Sequence, residues 1–333
     1  MAYSRLEDND LSDAEAPVSV LRTPARRLGR QTTSVAPAGN EYYSEKNLRR
    51  WIIATAFLHL GGFIAVIAFD KDQQVPLHKD YIIWPMKNAA VKKFTFGSDP
   101  AGKISMASLV AAFFMLSFLF QLATAINIKI NSIQILLWTG YINKLTTQCI
   151  NAYRWIEYSF SASCLFLLGA LINGVTNLYT VLFIFSAMWT VMMLGLVQEL
   201  VAFYLRKLEY ANVAKRSAIE FFLPHLIGWV PYLFLWFAAI DSFKLDLKHS
   251  PSKPPNWVYL FYIVNFVIFS SFGGNQAVEM YRLFYLPASD DKGLRRIALQ
   301  HEFVYVMLSL SAKSLSGYFL LSGLLASSSS AHY

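Results

Sequence analysis

The sequence contains few charged residues and almost no cysteine. Only 15% of its 333 residues are Asp, Glu, Lys or Arg, against about 25% in a typical soluble domain. Hydrophobic residues make up 55%. This balance excludes an ordinary soluble protein and predicts an all-α protein of the membrane. The net charge of +8 therefore indicates basic loops on the cytoplasmic side rather than binding to nucleic acid.

The low cysteine content excludes a disulfide framework. Cys149 and Cys164 fall in one predicted helix and are too far apart along its axis to bridge each other. The sequence also lacks a signal peptide, because residues 1–45 are polar and contain no apolar stretch. We predict a disordered cytoplasmic extension there. No metal site is predicted.

Seven apolar segments are long enough to cross a bilayer, which takes about 20 residues per helix. They occupy residues 51–69, 104–126, 147–172, 178–204, 219–240, 257–281 and 300–325. The predicted organisation is a seven-helix domain over 46–326, with a short extracellular tail at 327–333. The long connection 70–103 contains "DYIIWPM" and "VKKFTF", which predict a hairpin, and "NGVTN" at 173–177 predicts a tight turn.

Basic residues predict the orientation of these segments. Lysine and arginine are twice as numerous on the side of the N-terminal segment as on the opposite side. Because basic loops stay in the cytoplasm, we expect a cytoplasmic N-terminus and an extracellular C-terminus.

Lys313 stands out because it falls near the middle of the seventh segment. A charge at that depth costs a few kcal/mol or more, and the distance to either end argues against a lysine that reaches the interface. Two functions remain open: a salt-bridged lysine, or a lysine modified as a Schiff base. Ser309 and Ser316 lie about one turn away on either side and form a polar stripe with it.

The third segment supplies a partner in "RWIEYSFSAS", residues 154–163. Arg154, Glu157 and Ser161 recur on one helical face, with Tyr158 beside them. At 1.5 Å per residue, Glu157 is expected about 17 Å from the start of its helix, at the depth of Lys313. A buried carboxylate opposite a buried cation offsets two desolvation costs. Spacing alone leaves open a purely structural pair that locks two helices together.

These motifs resemble a known family. "RWIEYSFSAS" and "LSLSAKSLSGYFLLSG" are similar to the third- and seventh-helix signatures of the heliorhodopsins, retinal-binding seven-helix proteins with inverted topology. The resemblance continues in "NLRRWIIATAFLHLGG", "MMLGLVQEL" and "PPNWVYLFYIVNFVIFSSFGGNQ". It covers about residues 47–325.

The resemblance implies a chromophore site. Lys313 would carry all-trans-retinal as a protonated Schiff base, Glu157 would be its counterion, and Ser309 would lie near the Schiff base. Ser161 shares the face of Glu157. Arg154 matches the arginine of the third-helix motif.

Two positions relate to proton movement in the family. His59 matches a first-helix histidine of a polar cluster between the Schiff base and the cytoplasm. Gln121 stands where the family has a second histidine, and glutamine does not take up a proton near neutral pH. A paired-histidine proton acceptor is therefore in doubt for this chain.

Large side chains are candidates for the walls of the chromophore pocket: Tyr158, Trp229, Trp236 and the Met192–Met193 pair. Ordinary helix packing is the alternative for each of them.

The resemblance favours a light sensor of the membrane that is not an enzyme, and it suggests a homodimer among membrane lipids. A pump commonly uses two acidic residues in the third helix, and this helix has only Glu157. The first alternative is a light-gated proton or ion conductor, in which Glu199, Glu279 and Glu302 form an entry path. The other interpretation of these three residues is that they are solvated charges at helix ends. The second is a transporter without photochemistry that uses the Lys313–Glu157 pair for structure or substrate binding.

Overall fold

The computed structural model describes residues 43–69, 74–84, 94–130, 133–135, 137–251 and 253–329. The predicted N-terminal extension, apart from its last residues, and the end of the predicted tail lie outside these ranges. Eight helices occur in the described residues: α1 Glu45–Phe69, α2 Met106–Ala125, α3 Leu137–Gln148, α4 Ala152–Ile172, α5 Leu178–Tyr210, α6 Ala218–His249, α7 Asn256–Tyr285 and α8 Asp291–Ser329.

Six of these helices are long and apolar enough to cross a membrane: α1, α2, α4, α5, α6 and α7. The chain is therefore a mostly helical, multi-pass membrane protein. α8, which carries Lys313, is not one of the six. It does coincide with the seventh predicted segment, and each of the seven segments has a long helix at its position.

The long helices form a closed bundle. Consecutive long helices pack side by side, including α2 against α4, since the short α3 does not separate them. The last long helix, α8, packs against the first, α1. Most of α4 is buried, whereas the other membrane-spanning helices expose broad apolar faces. Residues on α4 therefore lie at the centre of the bundle, in reach of side chains from several other helices.

The beginning of the third long helix differs from the prediction. Residues 137–148 form the separate short helix α3, and α4 begins only at Ala152. Between them Cys149 has φ 53°, a left-handed conformation that interrupts the helix and is uncommon for a residue other than glycine. The sequence predicted both cysteines on one helix, and this prediction was wrong: Cys149 precedes α4, whereas Cys164 lies within it. Both are free thiols.

The predicted hairpin in the 70–103 connection is confirmed. Strands β1 Gln74–Ile83 and β2 Thr95–Ser105 pair antiparallel, from Gln74↔Ser105 to Ile83↔Thr95, with a register shift after Leu77. A second, three-residue pair, β3 Ile128–Ile130 with β4 Ile133–Ile135, was not predicted.

The hairpin is attached to the turn between α4 and α5. The amide of His78 donates to Thr176 O at 3.1 Å, and Asn177 Nδ2 donates to Asp80 Oδ2 at 2.7 Å. The turn itself forms as predicted, since Gly174 adopts φ +72°, which favours glycine. The side chain of Asn177 also caps α5 by accepting from the amides of residues 179 and 180.

Candidate functional site

Lys313 and Glu157 form a buried ion pair. Lys313 Nζ donates to Glu157 Oε1 at 2.7 Å and to Ser309 Oγ at 2.8 Å. The two charged residues are 5% and 3% exposed. Because an isolated charge in such surroundings is very costly, each group compensates the burial of the other. The structure therefore brings together three of the residues that the sequence singled out.

Two serines complete the surroundings of the carboxylate. Glu157 Oε1 also accepts from Ser117 Oγ at 2.7 Å and from Ser161 Oγ at 2.8 Å. The sequence predicted Ser161 but missed Ser117. A hydroxyl in the middle of the apolar α2 was the available signal, but only the packing of α2 against α4 reveals its partner. Together with the bond from Lys313, these hydrogen bonds to Glu157 Oε1 fix the position of the carboxylate.

The predicted distance of Glu157 from the start of its helix was wrong, whereas its expected meeting with Lys313 is confirmed. Because α4 starts at Ala152 rather than near residue 147, Glu157 lies only about 7.5 Å along the axis from the start of its helix. It still meets Lys313, since the lysine side chain points back toward the N-terminus of α8, as long helical side chains do.

An apolar cavity adjoins the amine of Lys313. Tyr158 forms part of its wall, and the Lys313 Nζ lies 5.1 Å from the centroid of the tyrosine ring. The cavity is lined by Tyr158, Ser161, Ala162, Leu165, Met192, Phe269, Phe272, Ser309, Ala312 and Lys313. A long, apolar group attached at Lys313 therefore meets walls of matching polarity.

The two predicted tryptophans lie in neighbouring cavities. Trp229 lines one that shares Met192 and Phe269 with the lysine cavity. Trp236 lines another, again sharing Phe269, and packs edge-on against Phe166 with ring centroids 5.3 Å apart. Trp229 and Trp236 therefore line cavities next to that of Lys313, and neither lines the Lys313 cavity itself.

His59 and Gln121 are not joined by a hydrogen bond. His59 is fully buried, and neither ring nitrogen has a hydrogen-bond partner among the described residues. Its ring centroid lies 6.1 Å from that of Phe114. Gln121 Oε1 instead accepts from Thr55 Oγ1 at 2.9 Å.

Arg154 points away from Glu157 and forms a second buried ionic group. Its guanidinium donates to Glu199 through Nη2 and to Glu302 through Nη1. Glu199 is 1% exposed, Glu302 is 4% exposed and nearby Glu279 is 2% exposed. The sequence-based alternative in which these three glutamates are solvated helix ends is therefore wrong. We call Arg154, Glu199, Glu279 and Glu302 the carboxylate cluster.

Asn151 holds the carboxylate cluster to the start of α4. Its backbone N–H donates to Glu199 Oε2 at 2.8 Å, and its side-chain Nδ2 donates to Glu302 Oε1 at 2.9 Å. Its Oδ1 accepts from the amide of Arg154 at 3.0 Å and so caps the helix. Sequence reasoning missed this residue because it placed the helix start too early; asparagine ahead of a helix was the available signal.

Cys149 lies beside the carboxylate cluster, outside the membrane-spanning helices. Burial raises the pKa of its thiol well above the ordinary value, and the negative charges of Glu279 and Glu199 raise it further. Its Sγ contacts Leu294 O at 3.7 Å. A thiol in this environment is chemically inert.

Another cavity is lined by members of both ionic groups. It is lined by Glu157 and Tyr158 on one side and by Asn151, Arg154 and Glu302 on the other, with Ile52, Phe120, Gln121, Thr124, Tyr141, Tyr153 and Val306 completing the wall. Glu157 of the ion pair therefore borders the same space as Arg154 and Glu302 of the carboxylate cluster.

Comparison with protein families decides the identity. The sequence model of the heliorhodopsin family matches residues 48–325, which include both ionic groups. The chain belongs to the heliorhodopsin family. Members of this family bind retinal as their chromophore, and the cavity beside Lys313 has the apolar walls that such a group requires.

Other comparisons are more distant. No curated protein sequence matches this heliorhodopsin. Among solved structures, a light-driven proton pump from Leptosphaeria maculans has 10% identity and a TM-score of 0.48, covering 86% of this chain and 95% of its own. The transmembrane domain of a Salpingoeca rosetta rhodopsin phosphodiesterase has 10% identity and a TM-score of 0.44, covering 80% and 84% respectively.

The buried position of Arg154 leads to a prediction about stability. Replacement of Arg154 by Gln leaves Glu199 and Glu302 without their counter-charge, which we expect to cost about 3–5 kcal/mol. The matched control is Arg295→Gln, which breaks an exposed 2.6 Å ion pair with Glu45 and should cost at most about 1 kcal/mol. Thermal unfolding of both variants in detergent measures the difference; equal melting temperatures would contradict it.

Proposed function

We propose that this heliorhodopsin is a light sensor in which Lys313 carries retinal as a protonated Schiff base and Glu157 is the counterion. The observation that carries the proposal is the 2.7 Å contact between Lys313 Nζ and Glu157 Oε1 at the edge of an apolar cavity. A structural ion pair needs no adjoining cavity, whereas a chromophore site needs both.

The surroundings of Lys313 suit covalent attachment. Lysine amines form Schiff bases with carbonyl compounds, and Lys313 lines the apolar cavity. Ser309, one turn earlier on α8, accepts a hydrogen bond from the same nitrogen and limits its orientation. Tyr158 covers the amine on the side of α4 and is itself held by a 3.2 Å hydrogen bond from its hydroxyl to Tyr305 O.

Glu157 supplies the negative charge that a protonated Schiff base requires. Ser117 and Ser161 donate to the oxygen that also faces Lys313. These hydrogen bonds hold the charge in place, because the two serines come from different helices. When bound, retinal supplies the absorption of visible light and an isomerisation that reorients the bond to the lysine nitrogen. A change at this nitrogen acts directly on its contacts with Glu157 and Ser309.

The proposed topology has seven membrane spans, with α8 as the seventh and with the N-terminus in the cytoplasm. Each of the seven predicted segments corresponds to a long helix, and the excess of basic residues lies on the N-terminal side. In this orientation the carboxylate cluster lies between the Lys313–Glu157 pair and the cytoplasm.

Removal of the amine tests the attachment site. Lys313→Ala cannot form a Schiff base, so protein produced with retinal should lose its visible absorption band completely. Lys244→Ala, at an exposed position on α6, should keep it. A visible spectrum of each purified variant is sufficient, and a Lys313→Ala protein with the wild-type band would refute the proposal.

Neutralisation of the carboxylate tests the counterion separately. Glu157→Gln removes the negative charge beside the lysine nitrogen, so the band should shift to the red or be lost at neutral pH. Glu220→Gln, an exposed position on α6, serves as the control. An unchanged spectrum for Glu157→Gln would exclude this residue as the counterion while leaving Lys313 as the attachment site.

A light-gated proton or ion conductor is the second candidate. The cavity bordered by both Glu157 and Glu302 favours it, because acidic side chains along one cavity form a possible route for cations. Whole-cell voltage clamp under illumination separates the two functions. A sensor gives no photocurrent, whereas a conductor gives currents that reverse with voltage and that decrease in Glu302→Gln.

A further inference from the structure

The carboxylate cluster contains more acidic groups than cations. Arg154 is the cation that the structure places among Glu199, Glu279 and Glu302 within the described residues, and all four side chains are at least nine-tenths buried. If all three glutamates were ionised, the cluster would carry a net charge of −2 away from water. Because uncompensated buried charge is very costly, one carboxyl group is expected to hold a proton.

Hydrogen bonding distinguishes the three glutamates. Glu199 accepts from Arg154 and from the amide of Asn151. Glu302 accepts from Arg154 and from Asn151 Nδ2. These hydrogen bonds compensate the burial of a negative charge on each of the two groups.

Glu279, on α7, has no such donors. Its Oε2 is buried and has no hydrogen-bond partner among the described residues, and the same holds for the hydroxyl of neighbouring Tyr305. Both side chains are nearly or fully inaccessible, at 2% and 0% exposure.

The charged and titratable groups around Glu279 come from all sides of the bundle. Arg154 on α4 is the cation, Glu199 on α5 and Glu302 on α8 are like charges, and Tyr305 lies beside the carboxyl group. Cys149, before α4, is a neutral thiol within the electrostatic range of Glu279. Glu199 and Glu302 together carry more negative charge than Arg154 neutralises, so a further negative charge on Glu279 would be buried without a cation of its own among the described residues.

We propose that the carboxylate cluster is a proton-binding site that holds one exchangeable proton on Glu279 in the dark and is coupled electrostatically to the Lys313–Glu157 pair. We infer the coupling from the cavity that Glu157 of the pair shares with Arg154 and Glu302 of the cluster. With Glu279 protonated, the cluster keeps a net charge of −1, so a loss of positive charge at Lys313 strengthens its hold on the proton. The dark-state assignment is independent of retinal; the coupling rests on the proposed function.

Infrared spectroscopy tests the proton directly. In the dark, the wild type should show a carboxylic-acid C=O stretching band that shifts in D₂O and is lost in Glu279→Gln. The band should remain in Glu220→Gln, which alters an exposed glutamate of α6. A band that persists in Glu279→Gln would overturn the assignment.

Unfolding gives a second readout that does not depend on colour. Glutamine closely resembles a neutral glutamic acid, so Glu279→Gln should change the melting temperature little. Glu199→Gln and Glu302→Gln should lower it clearly, because each removes a charge paired with Arg154. If Glu279→Gln were destabilised as strongly as Glu302→Gln, Glu279 would not be the protonated member.

The coupling has its own measurement. A light-minus-dark infrared spectrum of the pigment should contain a C=O difference band that disappears in Glu279→Gln and persists in Glu220→Gln. A pigment with a normal photocycle but no such band would refute the coupling, whatever the dark spectrum shows. A colourless protein that keeps the dark band would refute the proposed function and leave the proton site intact.

Discussion

Burial of the ammonium of Lys313 is the constraint on which the site depends. The charge cannot reach water from its position on α8, so the bundle must bring a carboxylate and hydroxyl groups to it from other helices. Glu157 and Ser161 come from α4 and Ser117 comes from α2. The central, mostly buried placement of α4 follows from the same requirement, since a helix at the edge of the bundle would leave the carboxylate exposed to lipid.

Much of this arrangement was predictable from the sequence because the cost of burying charge restricts the possibilities so strongly. Apolar length located the seven long helices, and the few charges within them identified Lys313 and Glu157 as partners. Aromatic and β-branched runs located the hairpin. Each of these features depends on a property that can be read from a short stretch of sequence: apolar length, a charge in an apolar segment, or aromatic and β-branched content.

Other features depend on tertiary contacts that no local pattern encodes. The start of α4 was misplaced because the apolar segment continues through residues 147–151; the contacts of Asn151 with Glu199 and Glu302 join residues far apart in sequence. Glu199, Glu279 and Glu302 could be interpreted from sequence as solvated charges near helix ends, because their helices extend beyond the apolar segments. Only the packing of α4, α5, α7 and α8 shows that their ends are enclosed.

The two ionic groups also have a mechanical consequence. α4 and α8 are joined at two points: Arg154 to Glu302 at one level and Glu157 to Lys313 at another, with the Tyr158–Tyr305 hydrogen bond between them. Two separate attachments prevent both sliding and rotation of one helix against the other. A local change of charge at either level therefore alters one contact between α4 and α8 while the others still join the two helices.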